Sequence, residues 1–331
     1  MKARNHTIDY LRGLAALMVC LVHFRHVFPA AWRPAIFELR VGVEIFFVIS
    51  GFIIPFSLHR AGYRAGDAWR FLLKRLARLQ PPLMAALLVT FALSHGAAWY
   101  KGETALMDFG NFARAMCYLG VPDENPVVWT LIVEMKYYIF VALLYPLFFS
   151  RDARVRRVTF VAAAAIAAAG QGWPGAGDLR YLPLFLMGFA ACQKAVGMTC
   201  AREAATLAAL AAAAGVPGLT PLQIIAGAAT AVMVLIPLRA KFRPGLFFGE
   251  ISYSLYLLHF PIGVKLLNYA LPRTSWHFDI PLLLAAFAVS VGAAWLLCKW
   301  LEKPASDWSQ HIPLHGGGPP DRKLAGEMAR G

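Results

Sequence analysis

Charge is scarce in this sequence. Only 15% of its 331 residues are Asp, Glu, Lys or Arg, 59% are hydrophobic, and the mean hydropathy is +0.56. So little charge excludes an ordinary water-soluble globule. Carboxylates are scarcer than cations, 18 against 32 Lys and Arg, which leaves a net charge of +14. Gathered in one soluble module, that excess would suit a nucleic acid. It is scattered over short segments instead, so no nucleic-acid partner is expected. The five cysteines, Cys20, Cys117, Cys192, Cys200 and Cys298, form no CxxC pair, so packing is their expected role and no metal site is expected. There is no internal repeat of the kind that marks inverted-repeat transporters. Nor is there room for a second folded domain.

What the chain does hold is a series of long apolar runs. A bilayer core about 30 Å thick needs ~20 apolar residues per helical span. Ten runs bounded by charges, Gly and Pro answer to that description, at 8–28, 40–58, 79–95, 127–149, 157–170, 181–196, 203–216, 221–238, 249–270 and 280–300. The fifth and seventh are short and Ala-rich. With the N-terminus in the cytoplasm, and cations at the ends of a run counted with the segment that adjoins it, 22 of the 32 Lys and Arg fall in inside segments and 7 outside; Arg12, Lys136 and Lys265 lie deeper within spans. This asymmetry is the positive-inside pattern. The expected fold is therefore all-α: a polytopic membrane protein with about ten transmembrane helices, both termini cytoplasmic, and lipid as its solvent. The first run has the flanks of a signal peptide, but Arg12 and His23 interrupt it, so it is expected to stay uncleaved. Residues 1–308 form the membrane domain, and 309–331, with Gly316, Gly317, Gly318, Pro319 and Pro320, read as a disordered cytoplasmic tail.

Ionisable groups inside spans are costly and point to function by default. Arg12 and His23 are eleven residues apart in the first run. At ~100° and ~1.5 Å per residue they share one helix face and stand about 16 Å apart along the axis. Arg12 then lies near the cytoplasm and His23 beyond the midplane. Glu44 begins the second run and Glu134 sits two turns into the fourth, so His23, Glu44 and Glu134 are expected as one cluster in the outer half of the bilayer. On the cytoplasmic side Arg75 and Arg78, at i and i+3, precede Pro81 and Pro82 and suit phosphate. The ninth run carries Ser252, Tyr253 and His259, with Pro261 expected to kink it. Each residue also has a structural reading. Arg12 can snorkel to headgroups, and His23 can be a satisfied core histidine. Glu44 can sit among headgroups, and Glu134 can pair with Lys136, Tyr137 or Tyr138. Topology alone accounts for loop arginines, and His259 can bond a carbonyl freed by Pro261.

Taken together these stretches resemble the acyltransferase type 3 family of membrane-bound O-acyltransferases, over most of the chain. Arg12 and His23 reproduce its Arg-x10-His motif, and Gly42 to Phe52, with Glu44, resembles its second signature. Lys74 to Pro81 resembles the basic-x-x-Arg-x-x-Pro element, and Trp129 to Glu134 the Trp-Ser-Leu-x-x-Glu element. Tyr253 to Pro261 resembles Ser-Tyr-x-x-Tyr-Leu-x-His-x-Pro, and Glu302-Lys303-Pro304 the closing Glu-x-Pro. Three positions depart from the pattern: Glu44 stands for Asp, Thr130 for Ser, and Gln80 for an aromatic residue.

The resemblance implies an enzyme of a bacterial inner membrane. It would move an acetyl or other small acyl group from a cytoplasmic acyl-CoA, used as substrate with no bound cofactor, to a hydroxyl of a glycan or other envelope or secreted acceptor. His23 would serve as general base or be acylated itself. Glu134 and Glu44 would orient it, and Arg12, Arg75 and Arg78 would hold the donor. The competing reading is a polytopic transporter or flippase of a polar solute, which also explains intramembrane charge.

Overall fold

The computed structural model describes residues 6–314, apart from 172 and 174. The expected tail therefore lies outside the described residues from 315 onward, and its first residues, 309 and 310, still belong to a helix. Every apolar run of the sequence is a helix, and no strand occurs among the described residues. In chain order the helices are α1 Thr7–His23, α2 Arg33–Phe37, α3 Gly42–Arg60, α4 Ala68–Lys101, α5 Phe109–Met116, α6 Trp129–Phe148 and α7 Ala153–Gly170. They continue with α8 Leu182–Ala195, α9 Ala201–Gly215, α10 Pro221–Met233, α11 Arg243–Leu258, α12 Lys265–Ala270, α13 Asp279–Leu297 and α14 Lys303–Gln310.

Among the described residues, four continuous helical stretches are long and apolar enough to cross a membrane: Arg33–Arg60, Ala65–Lys101, Pro126–Phe148 and Asp279–Gln310. The helices at several other expected spans are shorter. Helices α8, α9 and α10 have 14, 15 and 13 residues, about 20 Å of helix at ~1.5 Å per residue. Helix α4 departs the other way. Expected from residue 79, it begins at Ala68, so Lys74, Arg75 and Arg78 sit on the helix itself, and it passes through Pro81 and Pro82 without a break.

Two helix pairs form the backbone of the packing, α1 along α11 and α3 along α8. Glycines set both. A Cβ on Gly13 would lie 2.8 Å from the backbone nitrogen of Gly249, and methyl groups on Gly51 or Gly188 would run into the backbones of Phe185 and Val48. Small residues let apolar helices approach closely in lipid, where no hydrophobic driving force separates helix from tail. The α1–α11 contact also fixes the site. His23 is ten residues beyond Gly13 and His259 ten beyond Gly249, so two parallel helices touching at the glycines carry both histidines to one depth, about 15 Å away.

The remaining intramembrane cations separate structure from function. Lys136 pairs with Asp178 and Lys265 with Glu124, so both are neutralised locally. Arg12 hydrogen-bonds to no described residue and faces a cavity.

Candidate functional site

At the end of α11 the helix widens into a π turn over His259–Val264. Pro261 cannot donate a backbone N–H and its ring crowds the preceding turn. His259 is completely buried there. Its Nδ1 lies 3.0 Å from the Leu255 carbonyl, and its Nε2 lies 3.0 Å from Nδ1 of His23, which is also 2.9 Å from the Val19 carbonyl. Carbonyl oxygens only accept, so both Nδ1 atoms carry the proton. His259 Nε2 is then an acceptor, and His23 Nδ1–H is shared between it and Val19. The lone pair of neutral His23 is left on Nε2. The Phe260 ring packs edge-on against His23 with centroids 5.3 Å apart and closes the other side.

Two cavities lie within the helices, and His23 lines the smaller of them. The larger, about 2180 Å³, is lined by Arg12, Arg75 and Arg78, by Glu134, Tyr138, Tyr253 and Glu302, and by Lys194, Arg239 and Lys241. Basic groups outnumber acids on its wall. Arg78 hydrogen-bonds to no described residue, and Arg12 and Glu302 are near enough to act on its charge. Arg75 donates to Ser57 Oγ at 3.3 Å, lies across the Phe71 and Tyr138 rings, and keeps a buried Nε without a partner. Glu134 accepts from Tyr138 Oη at 2.6 Å and Ser50 Oγ at 2.8 Å. Glu302 accepts from Ser254 Oγ at 2.6 Å, and Tyr253 donates to the Leu79 carbonyl at 3.0 Å.

The smaller cavity, about 210 Å³, is lined by His23 with Arg25, Phe37, Arg40, Trp129 and Tyr256. Val43 and Tyr256 line both spaces and form the wall between them. Thr130 Oγ1 lies 2.8 Å from Tyr256 Oη, which reaches the Val127 carbonyl at 3.2 Å. The Tyr256 ring is thereby held against the start of α6.

The expected cluster of His23, Glu44 and Glu134 is not a hydrogen-bonded unit. Glu134 belongs to the arginine cavity, and of its expected partners it takes Tyr138. Glu44 lines neither cavity. It is buried and accepts from the Nε2 of Gln223, whose Oε1 caps α10 by accepting from Thr220 N at 2.8 Å. Glu44 thus ties α3 to the start of α10, with its second oxygen buried and unpartnered. Ser252 is also buried and bonds the Gly249 carbonyl of its own helix at 2.8 Å. The neighbour of His23 is His259. Tyr256, Arg40 and Ser50 complete the site beyond the residues singled out in the sequence. Tyr256 had a signal, since it precedes His259 by three residues on one helix face. Among the described residues, no group of three or more His, Cys, Asp or Glu is arranged to hold a metal ion.

Helix α1 thus carries Arg12 on the wall of a basic cavity and, at its C-terminal end, one member of a histidine pair. The family model described as "Acyltransferase domain" matches residues 5–299, nearly the whole chain, and the protein belongs to that acyltransferase family. No curated protein and no solved structure matches the chain.

Proposed function

We propose that the protein is a multi-pass O-acyltransferase of a bacterial inner membrane, with both termini cytoplasmic. It transfers an acetyl or other small acyl group from a cytoplasmic acyl-CoA to a hydroxyl of an envelope or secreted acceptor, most simply a glycan. One observation carries this reading: two cavities meet at Val43 and Tyr256, one with Arg12, Arg75 and Arg78 on its wall and the other with His23. Guanidinium forks bind phosphate in bidentate fashion, and the guanidiniums of Arg12 and Arg78, which have no hydrogen-bond partner among the described residues, suit the phosphates of the donor with Arg75 beside them. Glu134, fixed by Ser50 and Tyr138, limits the excess positive charge between substrates.

In the reaction, His23 Nε2 takes the proton of the acceptor hydroxyl as its oxygen bonds to the thioester carbonyl carbon. The carbon–sulfur bond then breaks, and the departing thiolate takes the proton back from His23. The oxygen ester and free CoA are the products, and the imidazole returns to its starting state. Transient acylation of the same Nε2 is the second route open to that lone pair; rapid quenching separates the two by finding, or not finding, labelled protein.

The test is transfer of radiolabelled acetyl from acetyl-CoA to envelope glycans in membranes holding wild type or His23→Ala protein at matched expression. Loss of label with the variant, in a protein that still runs as a folded monodisperse species, is the expected result. Equal labelling removes His23 from the chemistry.

A further inference from the structure

The smaller cavity carries more positive charge than a hydroxyl acceptor needs. Arg25 and Arg40 both lie against the Phe37 ring, their Cζ atoms 5.2 and 4.4 Å from its centroid. Two like charges on one ring repel each other, and an anion near both offsets that repulsion. The carboxylates available are poorly placed for that. Glu38 forms an ion pair with Arg40 through one terminal nitrogen at 3.5 Å, but both side chains are partly exposed, so solvent screens it, and the pair leaves Arg25 and the Arg40 Nε unanswered. Glu44 acts on Arg40 from a distance and is committed to Gln223. Arg25 uses one N–H on the Val22 carbonyl at 3.1 Å, out of the five a guanidinium offers. The Nε of Arg40 is buried and has no hydrogen-bond partner, a costly state for a charged donor unless a ligand oxygen meets it.

The remaining walls are apolar, with the Phe37, Trp129 and Tyr256 rings set among valines and Pro126. At ~30 Å³ per water molecule, a space of 210 Å³ has room for about seven, the scale of one sugar ring and too small for a folded peptide. We propose that this cavity is an acceptor site for an anionic saccharide. The apolar face of its ring lies on Trp129, its carboxylate or phosphate between Arg25 and Arg40, and its reacting hydroxyl at His23. The inference rests on acyl transfer only in assigning the hydroxyl to His23; recognition of the anion stands on the arginines.

The test is therefore binding. Purified full-length protein in lipid nanodiscs is titrated calorimetrically with methyl β-D-glucuronide, glucose 1-phosphate and methyl β-D-glucoside, and separately with acetyl-CoA. At least one anionic probe is expected to bind ~10-fold or more tightly than the glucoside, as charge-assisted hydrogen bonds require. The gap should narrow in high salt and in Arg40→Gln and Arg25→Gln proteins, and whichever anion binds tighter tells carboxylate from phosphate. Equal binding of all three sugars by the wild type, binding of none, or a gap that persists in both variants overturns the proposal. The wild-type comparison needs no variant to fold. Discrimination without acetyl-CoA binding upholds this site and sinks the acyl-CoA donor instead.

Discussion

His259 orients His23 without bringing a charge to it. Its Nδ1–H is spent on Leu255, so the nitrogen it presents to His23 can only accept, and that fixes which His23 nitrogen is basic. Removing the acceptor frees the ring to turn. His259→Ala should lower kcat by about 100-fold, within the range of a general base's contribution, with little change in KM for acyl-CoA. His259→Gln, whose amide oxygen accepts the same hydrogen bond, should recover part of the loss. A merely structural histidine would give neither the split nor the rescue. At the other end of α1, Arg78→Ala should raise KM for acyl-CoA by about 10-fold, the worth of a charge-assisted hydrogen bond, while kcat changes little. Steady-state kinetics at fixed ionic strength reads both. That Arg12 and His23 belong to one helix was legible, because a single apolar run carries both and the helix runs unbroken over Thr7–His23. The placement of Glu44 was not: the sequence gives its depth in the bilayer, while Gln223, 179 residues away, decides its direction.

Helices are where apolar periodicity and packing divide the work. All ten expected runs are helical, yet among the described residues only four stretches reach membrane-crossing length and hydropathy, because run length in sequence does not say where a helix is capped. Helix α10 illustrates this: Thr220 and Gln223 form a capping box with Pro221 at the first turn, which fixes its start sharply. The early start of α4 was hidden by its basic residues, which read as a loop until Arg75 and Arg78 are seen turned into a cavity. Its prolines do not break it, as is tolerated in helices surrounded by other helices. The glycine contacts carry the pairing of α3 with α8. Gly188→Val places a branched side chain where the Val48 carbonyl stands, and should cost about 3 kcal/mol, read as a lower thermal unfolding midpoint in detergent. Gly96→Ala, where an added Cβ meets nothing within 4 Å, should leave that midpoint unchanged or slightly raised.

On the scale of the whole molecule, the parallel α1 and α11 set the distance between the arginine-lined cavity and the histidine pair. Ten residues above the Gly13–Gly249 contact stands the histidine pair; at the other end of α1, Arg12 joins Arg75 and Arg78 of α4 on the wall of the large cavity. The wall of Val43 and Tyr256 between the two spaces is thin enough that both residues line each. This arrangement predicts a reaction with sides. Sealed proteoliposomes with the protein in one orientation receive acetyl-CoA, which does not cross the bilayer, on one face only and a hydroxylated acceptor on the other face only. Transfer is expected when the donor is on the face of Arg12, Arg75 and Arg78 and the acceptor on that of His23, and it should vanish when the two are exchanged. Transfer that requires donor and acceptor on the same face would contradict the account.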